Sequence, residues 1–463
     1  MGSAGLNRAR DKMVDAGVDE VAIETFAHYY RLLEHGETGM IPESSIEPLD
    51  MESLDDVEVS DDDAAEAIRQ TAVIKLNGGL GTSMGMDRAK SLLCVRRGLS
   101  FLDIIARQVL HLRGEYDAPL PLIFMNSFRT SADTMAALAR YDALPVEGLP
   151  LEFLQNKEPK LLEKDLSPVS YPKDPDLEWC PPGHGDLYTA LRGTGLLSRL
   201  IDAGYRYVFV SNSDNLGAVP DARVAGWFAT SGAPFAIEAV RRTPSDRKGG
   251  HFARRKQDGR IVLRESAQTL PEDREALADL SRHKYCSTNN LWFDLVAMQE
   301  LLDARGGILG LPMIKNVKNV DPADPSTPKV IQVETAMGAA IEVFEGARTI
   351  EVGRDRFVPV KTTNDLLVLR SDVYDLRKDF VLDQAVDEVP YVDLDDDFYK
   401  HVTEFDKRFA DGAPSMKEAS ALRVEGDWTF GRGVKVVGDV VLKATAAQRV
   451  APGTVIEDGR ADG

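Results

Sequence analysis

Between residues 70 and 375 the chain alternates short apolar, β-rich runs with longer stretches of helical periodicity. That is the texture of βα units feeding a mostly parallel sheet. Apolar runs at 71–76, 120–125, 151–155, 205–210, 234–240 and 356–360 predict strands. Helical spacing marks 101–112, 131–139, 186–203 and 293–303. Residues 251–265 read as a hairpin turning at Asp258-Gly259. Upstream, Val14, Val18, Val21, Ile23, Phe26, Tyr29, Tyr30 and Leu33 fall at amphipathic helical spacing. The acidic run 46–63, which ends in Asp61-Asp62-Asp63, reads as a solvated linker. Past residue 376, short β runs are separated by Gly every six to ten residues, the pattern of β-helix coils.

The expected fold is therefore α/β, with a mixed, mostly parallel central sheet flanked by helices. Three stretches are expected: a helical N-terminal segment with its acidic linker (1–65), a central α/β domain (66–375) and a small β-helix-like domain (376–463).

Charge narrows the partners. The formal net charge is −20, from 75 acidic against 55 basic residues. This excludes broad electrostatic attraction to nucleic acid or anionic lipid, so an anionic ligand needs a local basic pocket. No apolar run approaches the roughly 18 residues that span a bilayer, and the N-terminus has no apolar core of signal-peptide type. Cys94, Cys180 and Cys286 are odd in number, widely spaced and without a CxxC pair. A cytoplasmic, reducing setting is the expectation.

The most informative segment runs Ile74-Lys75-Leu76-Asn77-Gly78-Gly79-Leu80-Gly81-Thr82-Ser83-Met84-Gly85 and then Met86-Asp87-Arg88-Ala89-Lys90. Four glycines in eight residues, leaving a β run, let backbone N–H groups approach an anion without Cβ obstruction. A nucleotide phosphate is the natural guest. The segment lacks the Lys-Ser offset of a Walker loop and only partly mimics the dinucleotide fingerprint. Further on, Gln155 is an amide at a strand end, suited to reading a base edge. Pro181-Pro182-Gly183-His184-Gly185 forms a stiff loop before a helix. Asp214 follows the hydrophobic strand 205–210, where open α/β sheets bind ligands. A hard carboxylate there suits Mg²⁺ beside phosphate.

LNGGLGTSMGMDRAK resembles the signature loop of the eukaryotic-type UTP–glucose-1-phosphate uridylyltransferase family, LNGGLGT-x-MG-x-x-x-P-K, with Ala89 where Pro is usual. The segments around Gln155, His184, Asp214, Asn289 and Lys361 resemble that family in the same order. The resemblance implies a Rossmann-like, GT-A-like nucleotidyltransferase that makes UDP-glucose and pyrophosphate from UTP and glucose 1-phosphate. It assigns Leu76, Asn77, Gly78 and Gly79 to the uracil and ribose side, Gln155 to uracil, and Gly183 and Asn212 to the nucleotide. Gly79, His184 and Asn289 fall to the sugar phosphate, Lys90 and Lys361 to the phosphates, and Asp214 to nucleotide and Mg²⁺. Homo-oligomerisation through the C-terminal β segment is a further expectation from the relatives. The alternatives are a uridylyltransferase for another sugar, such as N-acetylglucosamine 1-phosphate or a broad range, and a silent nucleotide-sugar sensor. By the same resemblance, Asn77 and the Thr288-Asn289-Asn290-Leu291-Trp292 run favour glucose, since the N-acetylglucosamine enzymes generally show a different, Ala-containing glycine loop, and the presence of Lys90, Asp214 and Lys361 favours an enzyme over a sensor.

Overall fold

The computed structural model describes residues 2–457 and 459–462. At its centre lies an eight-stranded sheet. Its strands are β1 (Glu52–Ser53), β2 (Thr71–Asn77), β3 (Leu122–Asn126), β4 (Glu152–Leu154), β5 (Tyr207–Asn212), β6 (Phe235–Arg241), β7 (Tyr285–Asp294) and β8 (Arg348–Glu351). The spatial order is β1-β8-β6-β7-β5-β2-β3-β4. Every neighbouring pair is parallel except those of β7, which runs antiparallel to both β5 and β6.

Side chains alternate across the pleat, and both faces of this sheet are apolar. Val73, Phe209, Ala236 and Trp292 enter one core, whereas Ala72, Ile74, Val208, Val210, Phe235, Ile237, Leu291 and Phe293 enter the other. A sheet covered on both faces must read as continuous hydrophobic runs, as these strands do. The first core continues into the C-terminal coils through Val434, Val440 and Leu442. There Tyr391–Leu394, Ser415–Glu425 and Lys435–Lys443 stack in parallel, the arrangement of β-helix coils.

Several local expectations are corrected. The polar centre of β7, Ser287-Thr288-Asn289-Asn290, hid a ten-residue strand. Residues 356–360 form no strand; the sheet strand β8 precedes them, and Pro359 makes only an isolated bridge with Asn215. Pro cannot donate to a ladder, and the chain is held instead by a buried pair in which Arg356 Nε and Nη2 meet the Glu238 carboxylate at 2.6 and 2.7 Å. The expected helix at 186–203 is two helices, Asp186–Gly193 and Leu196–Asp202, parted at Gly195 with φ +69°. Phe293 belongs to β7, and Asp294 caps the following helix, Leu295–Ala304.

The acidic run is structured. Ile46–Glu47 pairs with the hairpin strand His251–Arg255, Glu52–Ser53 is the edge strand β1, and Asp61 to Asp63 form the first turn of helix Asp61–Arg69. Ser60 caps that helix by accepting from Asp63 N–H at 3.1 Å. Carboxylates in a first turn are favoured by the helix dipole, so acidity here marks a helix start. The N-terminal helices, Gly2–Asp15 and Glu20–Glu34, bury Phe26, Tyr30 and Leu33 against Met313, Ile331 and Val333 of a separate three-stranded sheet. No helix among the described residues is long and apolar enough to cross a membrane.

Candidate active site

The carboxyl ends of β2, β3, β4 and β5 lie side by side, and a polar network fastens those of β2, β3 and β5. Asn77 Nδ2 donates to Asn126 Oδ1 (2.7 Å) and Thr134 Oγ1 (2.9 Å), while Ser213 Oγ donates to Asn77 Oδ1 (3.0 Å). The buried Asn77 side chain is thus committed to the scaffold. Its backbone, with Leu76, Gly78 and Gly79, is what remains for a ligand. Lys75, one residue before Leu76, points into the core; its Nζ donates to Ser211 Oγ and the Ala218 carbonyl, both at 2.6 Å. Burial lowers its pKa to about 7. It is a structural lysine.

The glycine loop leaves β2 and turns at Gly81 (φ +65°) and Gly85 (φ +73°). It is closed by Lys90 N–H donating to the Gly79 carbonyl at 3.1 Å. Ala89 holds φ −52°, within the range a proline ring imposes, so the loop keeps the approach to Lys90 that the family's usual Pro would set. Lys90 Nζ then meets Asp214 Oδ2 at 2.6 Å and also bonds the Val360 carbonyl. Val360 N–H returns a bond to the Asp214 carbonyl at 3.1 Å. Three distant segments therefore close on one point. The buried Arg356–Glu238 pair anchors the segment that delivers Lys361, which is exposed and forms no ion pair among the described residues.

On the other side of the loop, Gln155 N–H is held by the Asn126 carbonyl at 2.7 Å. A methyl group on Gly78 would come within 2.5 Å of Gln155 Oε1, so the absence of a side chain there lets the amide lie against the glycine loop. Asn156 grips Asp186 twice, through N–H to Oδ2 (2.6 Å) and Nδ2 to Oδ1 (2.9 Å), which ties the Gln155 segment to the helix after His184. Burial raises the Asp186 pKa to about 6.

Gly183 has φ +79°, and a Cβ there would strike Thr335 O at 2.5 Å and Thr335 N at 2.8 Å. Thr335 N–H donates to the Pro182 carbonyl (2.9 Å) and Gly185 N–H to the Thr335 carbonyl (2.8 Å), so the loop is moulded onto the end of strand Lys329–Thr335. His184 follows in a defined tautomer. Met337 N–H donates to His184 Nδ1 at 2.9 Å, which places the ring proton on Nε2, and burial lowers the pKa to about 4. A neutral N–H donor is thereby held ready at neutral pH.

Asn289 sits on a β-bulge in β7, where the register with β6 shifts between Ile237 and Ala239. It adopts φ +58°, a left-handed conformation that Asn tolerates better than most side chains. A bulge re-aims a side chain beside a site. Here Asn289, Gly183 and His184 line one cavity of about 330 Å³ with Glu265, Asn316 and Glu334. Glu265 was missed by sequence reasoning. It ends the expected hairpin but has no local motif, and only the fold brings it into the same cavity as Asn289. Burial raises its pKa, and the charge of Lys361 opposes that shift. Lys361 thus lies close enough to act on this cavity as well as next to the Lys90–Asp214 meeting point.

Mg²⁺ fits the donor set at one point. Asp214 Oδ2 is taken by Lys90, whereas Oδ1 has no hydrogen-bond partner among the described residues. One carboxylate beside phosphate oxygens and water is the arrangement this small, hard cation favours.

The profile of the family described as UTP–glucose-1-phosphate uridylyltransferase matches residues 23–437. A UTP–glucose-1-phosphate uridylyltransferase of Hordeum vulgare is 38% identical over 403 residues, covering 86% of this chain and 82% of that one. A probable UTP–glucose-1-phosphate uridylyltransferase of Schizosaccharomyces pombe is 36% identical over 397 residues, 84% and 77% of the two chains. Among solved structures, a mutant form of the Leishmania major UDP-glucose pyrophosphorylase, in complex with UDP-glucose, superposes with a TM-score of 0.93. It is 43% identical and covers 99% of each chain. A UDP-glucose phosphorylase of Trypanosoma brucei gives 0.91 at 40% identity, also over 99% of each chain.

Proposed function

The chain belongs to the UTP–glucose-1-phosphate uridylyltransferase family, and from that premise we infer that it joins UTP to glucose 1-phosphate, making UDP-glucose and pyrophosphate. The observation that carries the reading is the meeting of Lys90, Asp214 and the Lys361 segment beside a cavity lined by His184 and Asn289. Cations, a metal-type carboxylate and sugar-type hydrogen-bonding groups adjoin one another there.

A phosphate oxygen of glucose 1-phosphate attacks the UTP α-phosphorus in line. The new P–O bond forms as the bond to the pyrophosphate oxygen breaks, and the electron pair leaves with pyrophosphate. The nucleophile is already anionic, so no general base is needed. The residues' work is to position two anions and neutralise growing charge. Gln155 and the Leu76 to Gly79 backbone orient the uridine, with Gly183 and Asn212 along the nucleotide. Asn289 and Glu265 offer hydrogen-bond groups to sugar hydroxyls, and His184 Nε2–H donates toward the sugar phosphate. Lys90 and Lys361 screen the phosphates. Asp214 is the residue that would hold Mg²⁺, which supplies further charge neutralisation when bound.

A cytoplasmic setting suits this role, and the free thiols of Cys94, Cys180 and Cys286 support a reducing compartment. Following pyrophosphate release from UTP and Mg²⁺ with glucose 1-phosphate or N-acetylglucosamine 1-phosphate tests the reading. Glucose 1-phosphate is expected to give the higher kcat/KM by at least tenfold, about 1.4 kcal/mol of discrimination. A preference for the other sugar overturns the assignment.

A further inference from the structure

Behind Glu265 lies a buried polar cluster that the reaction does not touch. Glu43, in the turn Glu43–Ser45 of the N-terminal segment, accepts from Arg264 Nη1 (2.5 Å), Arg282 Nε (2.7 Å) and His283 Nε2 (2.9 Å). Its own N–H donates to Asp273 Oδ2 (2.8 Å), the oxygen that also takes Arg264 Nη2 at 2.9 Å. Two residues earlier, Ile41 N–H donates to the Gln268 carbonyl at 2.8 Å. The N-terminal segment thus grips both ends of the 264–273 stretch, and that stretch supplies Glu265, Ser266 and Ala267 to the sugar-side cavity. His283, on the same carboxylate, lies just upstream of β7, whose bulge carries Asn289. Arg264 and His283 are fully buried, while Glu43 is mostly buried and Arg282 is half-exposed, so the cluster is closed on its inner side and reaches the surface at Arg282.

The same groups have metal-ligand character: ligand atoms of Glu43, His251 and His283 all lie within 4.8 Å of one another. His251 Nε2 and His283 Nδ1 are moreover buried without hydrogen-bond partners among the described residues. The ring geometry argues against a metal centre. The two imidazoles are stacked 3.7 Å apart and 21° from parallel, so their in-plane lone pairs do not converge on one ion. Both oxygens of Glu43 are already taken by cationic donors. The arrangement is that of a hydrogen-bonded keystone.

We propose that Glu43 is a positioning residue for the sugar-phosphate half of the reaction, holding the Glu265 wall of the cavity through Arg264, Arg282 and His283. The inference rests on the reading of that cavity as the sugar end. Glu43 lies far from the sites in sequence, yet its carboxylate bonds the residue immediately before Glu265. Displacing a positioning group by about 1 Å can cost up to about 100-fold in rate, so loosening this wall acts on sugar binding before it acts on the nucleotide.

The test is Glu43→Gln in the full chain, which keeps the shape and removes the charge. The expected result is a KM for glucose 1-phosphate raised about tenfold with the KM for UTP within about twofold, and a further loss in Glu43→Ala. An unchanged KM for glucose 1-phosphate in the folded variant overturns the proposal, as does an equal rise for both substrates. Should Glu43→Gln fail to fold, Arg282→Gln, which alters a half-exposed partner, gives the same discrimination: a rise for glucose 1-phosphate alone supports the proposal, and no rise overturns it. Wild-type protein assayed in parallel separates the two levels. If it makes no UDP-glucose, the functional reading has failed, whereas an active wild type with an indifferent variant refutes only the role of Glu43.

Discussion

Lys90 Nζ stands 2.6 Å from Asp214 Oδ2, and the same ammonium holds the carbonyl of Val360, the residue before Lys361. A cation from the glycine loop and a carboxylate from the end of β5 thereby fix where the second cation emerges. Replacing Lys90 with Ala, Lys361 with Ala or Asp214 with Asn is expected to lower kcat by about 10²- to 10³-fold with folding intact, the scale for losing one well-aimed charge-stabilising group. Lys90→Ala and Asp214→Asn combined should cost less than the product of the single effects, since the two act as a unit. Steady-state kinetics on folded variants decides, and near-normal turnover in any single variant removes that residue from the mechanism.

Gly183→Ala combines a left-handed backbone with a collision against Thr335 O and N. The αL penalty alone is about 1–2 kcal/mol, and the displaced loop carries His184. Urea denaturation is expected to show at least that loss of stability, accompanied by a raised KM for glucose 1-phosphate. Wild-type stability in this variant contradicts the observed moulding of the loop onto Thr335.

Ala89→Pro restores the family's usual residue at a position already at φ −52° whose N–H has no hydrogen-bond partner among the described residues. The substitution is expected to stabilise the protein by about 0.4–1 kcal/mol by restricting the unfolded chain. The check is a higher urea midpoint at unchanged m. Destabilisation shows that the segment before Lys90 does not accept the ring.

His184 carries a pKa lowered by burial to about 4, against an ordinary value of 6.5, with Nδ1 occupied by Met337 N–H. Imidazole resonances in ¹⁵N NMR are expected to report a neutral Nε2–H ring from pH 8 down to about 5. The sign for stability follows. The unfolded ring takes its proton near 6.5 and the folded ring only near 4, so this group's contribution is complete above pH 6.5 and is lost as pH falls toward 4. A titration midpoint near 6.5 contradicts the account of a fixed neutral donor.

How far the sequence could be read depended on whether each signal was local. β2 and the glycine loop were legible because an apolar run ends in glycines whose backbone freedom has few other uses, and the structure places Gly81 and Gly85 at positive φ. β7 escaped because its bulge puts Ser287 to Asn290 where a strand should be apolar, and that bulge is what presents Asn289. Residues 356–360 looked like a strand because Phe357, Val358 and Val360 are β-formers. The tertiary pair Arg356–Glu238 and Pro359 override that propensity. The sequence does not show that the Asn77 side chain ties three strand ends together, which leaves its backbone for the nucleotide contact the resemblance implies. Glu265 and Glu43 had no motif at all, since each acquires its role from residues far away in the chain.

The most direct test is an experimental structure of this protein with UDP-glucose bound. The account predicts uracil against Gln155 and the Leu76 to Gly79 backbone, the glucosyl ring between His184, Glu265 and Asn289, and the diphosphate facing Lys361 with Lys90 and Asp214 alongside. A nucleotide sugar seated elsewhere, or reversed so that glucose meets Gln155 and uracil meets Asn289, contradicts it.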